Sequence, residues 1–589
     1  MRVRPNRDRS RLIAAAMQKI PCDLTIRNTR FVNVITGEIY PAEVDILDGI
    51  VVCVREEGLE NKAGALQIYD AGGRYLVPGF IDVHMHVEST MMIPENFGRA
   101  AILCGTTSVF VDPHEIGNVL GIEGVRFMIE NAKRSPVRQF NLAPSCVPSV
   151  PGVEGSGASF GAKEIADLLG IDGVYGIAEV MDFINVVNDS ERMKEICEVG
   201  IEKNVIIQGH CPGFRGKEAA AYTLAGPTNS HCMNCEEDIK AILRSGMFAD
   251  MQESSLNPRR MDRLVKGLEG MCYTDHVCLC NDDVHANDLI KTGHVNRLMK
   301  SALLEGVHPV DVIRWCTYNP SRDAGIDDIG AVAPGYLADI QLLDELDGRN
   351  PYAVFKEGEL LVENGVLLKN AHCEEVPEFS NTIHADYISG PEDFKIHVPG
   401  VENGTVKAAV LDYGAETARC EVVYEEFPVV DGCLDISGHE GVHYFAVFNR
   451  HGSEDHTVAL MKNWGLKKGC TATSVAHDCH NLMFLYYKPE DAFTALNALK
   501  ECGGGVCAVV DEKVTGLLRL PVAGLMSTLE CRELVEEIEK AEQAVTEISP
   551  ERKMMEFAVN ALACIPAPVV TDRGIVDGRT LEWIPGILN

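Results

Sequence analysis

The feature that most constrains the fold is an alternation of short β-branched segments with longer amphipathic segments between Leu76 and about Gly325. Such alternation is typical of βα units repeated around a parallel sheet. Eight short segments are predicted to be strands: Leu76–His86, Thr107–Pro113, Gln139–Cys146, Val174–Val180, Val205–His210, Thr228–His231, Met247–Gln252 and His276–Asp282. Eight βα units in about 250 residues predict an α/β fold with a closed (β/α)8 barrel of the TIM type.

The segments on either side of the barrel predict two further domains. Short alternating strands occur before and after it, at 24–27, 43–46, 338–343 and 352–362. We expect the two flanks, residues 1–77 and 326–375, to form one small β domain around a barrel that spans 78–325. Residues 376–589 mix strand and helix patterns and predict a C-terminal α+β domain.

Charge and cysteine content bear on the class of partner and on the compartment. The 589 residues carry a formal net charge of −34 at pH 7, which would repel a phosphate backbone. We therefore expect a small molecule as the partner and no nucleic-acid polymer. No apolar run approaches the ~18 residues of a membrane span, and the 21 cysteines are scattered and odd in number, which favours reduced thiols. We expect a cytoplasmic homo-oligomer that does not bind membranes.

Metal-binding side chains recur at the ends of the predicted strands, where barrel enzymes carry their chemistry. His84 and His86 end the first strand, and their spacing of two turns both imidazoles to one face. The fourth, fifth, sixth and eighth strands end with Glu179, His210, His231 and Asp282. Four imidazoles and two carboxylates at one rim would suit two divalent cations bridged by a carboxylate and a hydroxide.

Each of these six residues also has an ordinary interpretation. An isolated histidine is more often hydrogen-bonded in the core or exposed than bound to a metal, and Glu179 alone could form a salt bridge. The joint placement of all six at strand ends favours the metal site.

Motifs around these positions resemble a known enzyme family. The segment Pro78-Gly79-Phe80-Ile81-Asp82-Val83-His84-Met85-His86 is similar to the first-strand signature of the amidohydrolase superfamily. More narrowly, Val87-Glu88-Ser89-Thr90, Asp112-Pro113-His114-Glu115-Ile116 and Pro144-Ser145-Cys146-Val147-Pro148 resemble the bacterial-type adenine deaminases. Further similar segments at 209–213, 282–285, 330–339, 474–481, 520–526 and 571–574 extend the resemblance over nearly the whole chain.

The resemblance implies an amidohydrolase barrel that converts adenine to hypoxanthine and ammonia, a reaction of purine salvage, by attack of a metal-bridging hydroxide on C6. It implies two divalent metal ions, manganese or iron(II), and ligand type alone does not exclude zinc. Carried over position by position, one metal is bound by His84, His86 and Asp282, the other by His210 and His231, and Glu179 bridges the two.

The resemblance and the chemistry of C6 attack together suggest roles for neighbouring residues. Asp282 could accept the hydroxide proton and return it to the departing amine. Glu88 is a candidate acid for a ring nitrogen because it would continue the 84, 86, 88 alternation, and a structural role beside a histidine is equally supported. Candidates for base recognition, or for support of the ligands, are Asp283, His114, Glu115 and His285.

A second histidine pair, His477 and His480, occurs in the C-terminal region. The two residues lie about one turn apart if the segment is helical. A loop over the barrel mouth and a purely structural role are both open, and neither residue is assigned to the metal site.

Three positions depart from the adenine deaminase pattern: Ser230 and Cys232 flank His231, and Asn281 precedes Asp282. They leave open an N6-substituted adenine, such as N6-methyladenine, as the substrate. A cyclic amide amidohydrolase is a second alternative, although such enzymes commonly bridge their metals with a carboxylated lysine where this chain has Glu179. A non-catalytic barrel is a third, and the six filled ligand positions argue against it.

Overall fold

A computed structural model describes residues 1–4, 6–56, 58–256, 260–369, 379, 381–414 and 420–588. The predicted boundary between residues 375 and 376 lies outside these ranges. Helix α1 spans Arg9–Ala16. Five strands of the first flank follow it: β1 (Cys22–Asn33), β2 (Glu38–Leu47), β3 (Ile50–Glu56), β4 (Ala65–Asp70) and β5 (Tyr75–Pro78).

Eight parallel strands form the barrel. They are β6 (Phe80–Met85), β7 (Thr106–Val111), β8 (Arg138–Ala143), β9 (Val174–Val180), β10 (Ile206–Gly209), β11 (Asn229–Ser230), β12 (Phe248–Gln252) and β13 (Val277–Cys280). Strands β6 to β10 form one sheet and β11 to β13 another. Backbone hydrogen bonds join the sheets at both seams, from Thr228 to Ile207 (3.0 Å) and from Asp282 to His84 (3.1 Å). The predicted α/β barrel is confirmed.

Helices surround these strands. They are α2 (Pro94–Ile102), α3 (His114–Ala132), α4 (Ala162–Leu168), α5 (Phe183–Val187), α6 (Glu191–Lys203), α7 (Lys217–Leu224), α8 (Glu236–Arg244), α9 (Met261–Gly267), α10 (Ala286–Thr292), α11 (Val295–Leu304), α12 (Pro309–Trp315) and α13 (Tyr318–Asp323). Among the described residues, no helix combines the length and the apolar character needed to cross a bilayer.

The first predicted strand, Leu76–His86, is in fact two strands that meet at Gly79. Strand β5 belongs to the small sheet and β6 to the barrel. A Cβ atom at position 79 would lie 2.3 Å from the Thr107 side chain. Only glycine therefore lets the backbone pass this close to β7 as it changes sheets.

The second flank adds β14 (Ile340–Leu343), β15 (Ala353–Lys356), β16 (Glu359–Glu363) and β17 (Val366–Leu367). Strand β14 pairs antiparallel with β5, so both flanks form one nine-stranded sheet. The segment 352–362, predicted as one strand, is a hairpin instead. Its turn contains Glu357 and Gly358, both with positive φ, a conformation that a continuous strand cannot contain.

The C-terminal region contains a ten-stranded sheet, a three-stranded sheet and two long helices. Its elements are β18 (Gly404–Asp412), β19 (Glu421–Val430), β20 (Cys433–Leu434), β21 (Val442–Phe448), β22 (His456–Lys462), β23 (Cys470–Thr473), β24 (Leu482–Tyr486), α14 (Pro489–Cys502), β25 (Gly505–Val510), β26 (Lys513–Arg519), α15 (Cys531–Ile548), β27 (Pro568–Thr571), β28 (Gly574–Asp577), β29 (Glu582–Ile584) and β30 (Ile587–Leu588). The region is α+β, as the sequence predicts.

The C-terminal region packs directly on the barrel. Phe445 of β21 and Ile538 of α15 share one continuous apolar core with Met85 and Phe97 of the barrel. The loop between β23 and β24 is held to the barrel by a hydrogen bond from Asn481 Nδ2 to the Gly155 carbonyl (2.9 Å). This docking brings C-terminal residues to the carboxyl ends of the barrel strands.

Candidate metal centre and substrate cavity

The two carboxylate oxygens of Glu179, at the end of β9, face different imidazole pairs. Oε1 lies 3.2 Å from His86 Nε2 and 3.8 Å from His84 Nε2. Oε2 lies 2.6 Å from His210 Nδ1 and 3.4 Å from His231 Nε2. One carboxylate therefore stands between two sets of nitrogen ligands, the arrangement that a bridging group requires.

Asp282 approaches the same point from the end of β13. Its Oδ1 lies 3.6 Å from His84 Nε2 and 3.3 Å from His86 Nε2. The residue has a φ of +56°, which aspartate tolerates better than most residues. All six predicted ligands are thus brought together at one end of the barrel.

Hydrogen bonds outside the cluster orient the two histidines of β6. His84 Nδ1 lies 2.8 Å from Gln208 Oε1, and Gln208 Nε2 donates to the Val83 carbonyl at 2.6 Å. His86 Nδ1 lies 3.1 Å from the Asp112 carbonyl. Because both partners are acceptors, Nδ1 carries the proton in each ring and Nε2 is left free to face the cluster.

This donor set fits divalent metal ions. His84 Nε2 is buried and has no hydrogen-bond partner in the part of the chain that the structure describes, which is costly unless another group takes its lone pair. Imidazole nitrogens and carboxylate oxygens together suit zinc, iron and manganese. The geometry thus supplies two clusters joined by Glu179.

Electrostatics within the cluster also suit metal binding. Burial, together with the nearby His84, lowers the pKa of His231 to about 3 and keeps its imidazole neutral. Burial opposes ionisation of Glu179, but His210 and His86 outweigh this effect and hold the pKa of the carboxyl well below its usual range. The neutral His231 and the ionised Glu179 are in the forms that bind metals. In contrast, Asp282 and Glu179 outweigh burial and raise the pKa of His84 and His86, which a bound metal would have to deprotonate.

Glu88 does not continue the strand alternation predicted for it. Strand β6 ends at Met85, and Glu88 begins a 3-10 turn, Glu88–Thr90. The side chain is buried, and Oε1 accepts a hydrogen bond from the Ile116 amide (3.3 Å). Burial and the neighbouring Glu115 raise its pKa to about 8. Because Glu88 does not line the cavity, its position favours the structural role over contact with a ring nitrogen.

The four candidates for base recognition separate into two groups. His114 and Asp283 line the cavity beside the cluster, whereas Glu115 and His285 do not. Ser89 Oγ lies 2.8 Å from Glu115 Oε1 and 2.5 Å from Asp283 Oδ1 and so links the two groups. His285 instead occupies the N-cap position of α10, with no side-chain hydrogen bond to the helix.

A cavity of about 170 Å³ opens over the cluster, with walls from two domains. The barrel supplies the polar wall. The C-terminal region supplies a set that sequence reasoning did not assign: His477, Asp478, Glu556, Val559, Leu562, Cys564, Ile565 and Pro566. The one sequence feature that could have indicated this contribution is the pair His477 and His480, because the segment that contains it reaches the mouth of the barrel.

His477 and His480 lie in a loop and not in a helix. His480 Nε2 is 3.4 Å from Glu115 Oε2. Because His480 Nδ1 accepts a hydrogen bond from the Ala476 amide (3.2 Å), the ring of a neutral His480 carries its proton on Nε2. That nitrogen therefore has no lone pair for a further metal; it faces Glu115 but makes no hydrogen bond among the described residues.

Two of the three unusual neighbours face away from the ligands. The amide of Asn281 donates to Asp82 Oδ2 (2.8 Å) and accepts from Arg297 (2.6 Å), on the inner side of the barrel. Ser230 Oγ accepts from backbone amides nearby. Only Cys232 lines the cavity.

Comparison with known proteins shows similarity over nearly the whole chain. Residues 75–361 match the amidohydrolase family, and residues 418–582 match the adenine deaminase C-terminal domain. The chain is 35% identical to adenine deaminase 2 of Carboxydothermus hydrogenoformans over 98% of each chain. It is 34% identical to the adenine deaminase of Moorella thermoacetica over 97% of this chain and 96% of the relative. Among solved structures, an enamidase of the amidohydrolase superfamily aligns at 19% identity with a TM-score of 0.46, covering 58% of this chain and 96% of the enamidase.

Proposed function

Because this chain belongs to the adenine deaminase family of amidohydrolases, we propose that it hydrolyses adenine to hypoxanthine and ammonia. The observation that carries the proposal is the position of Glu179, which lines a cavity and whose two oxygens face separate imidazole pairs. A base that enters this cavity meets the cluster on one side and apolar C-terminal residues on the other.

The residues that would hold two divalent ions are His84, His86 and Asp282 on one side of Glu179, and His210 and His231 on the other. When bound, such ions lower the pKa of water and supply a nucleophile at neutral pH. We propose manganese or iron(II), following the family resemblance, and zinc remains compatible with the ligand types.

Protein side chains would move the protons of the reaction. Asp282 lies at the cavity wall beside His86, so its carboxylate can take a proton from the attacking water and pass it to the departing amine. His114 and Asp283 line the same wall and supply polar contacts to the base. Gln208 and the Asp112 carbonyl hold the ligand rings in place while this occurs.

The test is anaerobic metal analysis of the purified protein combined with measurement of ammonia release from adenine. We expect two metal ions per chain and one molecule of hypoxanthine for each molecule of ammonia released. N6-methyladenine is assayed in parallel because the departures at 230, 232 and 281 raise the possibility of an N6-substituted substrate. Turnover of the methylated base alone would overturn the assignment to adenine.

In the cell, we propose a role in purine salvage in the cytoplasm.

A further inference from the structure

We propose that Asp478, from the C-terminal region, is a specificity-determining residue that accepts a hydrogen bond from the five-membered ring N–H of a free purine base. The inference rests on the proposed function and adds the residue by which the enzyme would distinguish a free base from one substituted at N9. It assigns the C-terminal region a direct part in substrate selection.

The Asp478 carboxylate is buried, and no described residue donates a hydrogen bond to it. The residue is 2% exposed, and Oδ2 has no partner among the described residues. Oδ1 lies 3.6 Å from His114 Nε2 and 3.9 Å from His477 Nδ1, both beyond hydrogen-bond distance. A buried carboxylate without donors is costly unless a ligand supplies one.

Asp478 also lies at a suitable place in the cavity. It lines the cavity beside His114, whose ring stands between it and Glu179 of the metal centre. His114 Nδ1 is 3.7 Å from Glu179 Oε1, while His114 Nε2 faces Asp478. One imidazole ring therefore separates the proposed acceptor from the bridging carboxylate.

The chemistry of the base matches this separation. In a free purine, the reacting C6 lies on the six-membered ring and the ionisable N–H on the five-membered ring. A base with C6 at the metal centre would direct its N–H away from Glu179 and toward the C-terminal wall. The side chains of Val559, Leu562 and Ile565 complete that wall and give the flat rings an apolar surface.

An N9 substituent would remove the donor that Asp478 requires. A nucleoside carries its sugar at that atom, so it would leave the carboxylate unpaired and place bulk against the C-terminal wall. Sites built to hydrogen-bond a substrate N–H reject analogues that lack it by factors of about 10⁴. We therefore expect metal-loaded enzyme to use 9-methyladenine at least about 10³-fold less efficiently than adenine.

The decisive variant is Asp478→Asn, measured with both substrates. Asparagine keeps one acceptor oxygen but loses the charge, so the hydrogen bond weakens and kcat/KM for adenine falls about tenfold, mainly through KM. Activity toward 9-methyladenine should not fall, so the ratio of the two efficiencies narrows at least about tenfold. Asp478→Ala, which also makes room, should narrow it further. Asp491→Asn, which changes a buried carboxylate outside the cavity, is the control and should leave the ratio unchanged.

Two outcomes would overturn the inference. If Asp478→Asn lowers both efficiencies by the same factor, the residue acts only through the structure or through His114. If the wild-type enzyme has the same kcat/KM for adenine and for 9-methyladenine, the N–H of the five-membered ring does not contribute to substrate selection.

Product binding keeps the test independent of the activity and of variant folding. Calorimetry on the wild-type protein compares hypoxanthine with 9-methylhypoxanthine, and we expect the free base to bind at least about tenfold more tightly. Equal affinities would refute the role of Asp478. Absence of ammonia release from adenine, in contrast, would refute the proposed function and leave this binding comparison valid.

Discussion

Replacing Gln208 by leucine should weaken metal binding without touching a ligand. Gln208 is buried, and its Oε1 is the acceptor that fixes the His84 ring at 2.8 Å. Leucine has a similar size but no polar atoms, so the His84 Nδ1–H and the Val83 carbonyl both lose their partner. The cavity shape and all six ligands stay in place.

The magnitude follows from these two lost hydrogen bonds. Removing the partner that orients a metal-bound histidine typically costs 10- to 100-fold in metal affinity, or about 1.4–2.7 kcal/mol. Each polar group left buried costs about 1–3 kcal/mol. We therefore expect the free energy of unfolding of the metal-free protein to fall by about 2–6 kcal/mol.

The assay is competition for manganese between the protein and a chelator of known affinity, with denaturant unfolding measured in parallel. Gln341→Leu is the matched control, because Gln341 is also buried and donates to a backbone carbonyl, that of Pro78 (3.0 Å), away from the metal centre. It should lose stability but keep its manganese affinity. The reasoning would be refuted if folded Gln208→Leu bound manganese as tightly as the wild-type protein, or if Gln341→Leu lost as much manganese affinity as Gln208→Leu.

Three further results are expected. Asp282→Asn should give a folded protein with turnover reduced at least about 100-fold, and near-normal turnover would refute its role in proton transfer. Chelation should abolish ammonia release and manganese or iron(II) should restore it, whereas activity that persists in metal-free protein would contradict the metal centre. For pH, burial together with Lys467 lowers the pKa of His443 to about 4, so the unfolded state binds a proton first as pH falls from about 6.5. Stability present above pH 6.5 is then lost toward pH 4, by about 2 kcal/mol at pH 5. Between pH 7 and pH 5, denaturant titrations should show a smaller decrease in the free energy of unfolding for His443→Leu than for the wild-type protein. An equal decrease in both proteins would exclude His443 as the cause.

The barrel and the clustering of the six candidate ligands could be predicted because both have local signatures in the sequence. The spacing of His84 and His86 at the end of a strand predicts that both imidazoles lie on one face. In a parallel barrel the carboxyl ends of the other strands lie at the same rim. The position of Gly79 as a junction was less accessible. It depends on the close approach of Thr107, which no local pattern encodes.

Residues that act across domains escaped sequence reasoning for the same physical reason. Asp478 meets His114 only because the C-terminal sheet docks on the barrel. Glu88 was misplaced in the alternation because β6 ends at Met85, where the backbone turns into a 3-10 helix. The position of Asp478 thus depends on packing between domains, whereas Glu88 lies beyond the end of a strand, where the period-two pattern no longer applies.

The pairing of β5 with β14 has a consequence for synthesis on the ribosome. Gln341 and Pro78, which are hydrogen-bonded across this pair, are 263 residues apart in the chain. At 5–20 residues per second, the edge of β5 waits roughly 10–50 s for its partner to be translated. During that time an unpaired edge is exposed and can capture other chains. We expect stalled nascent chains that end before β14 to bind chaperones and to remain less compact than chains that include it. In pulse proteolysis of chains stalled on either side of residue 343, the shorter chains should be the more sensitive to protease. Equal protease resistance on both sides would show that the early sheet is already stable alone.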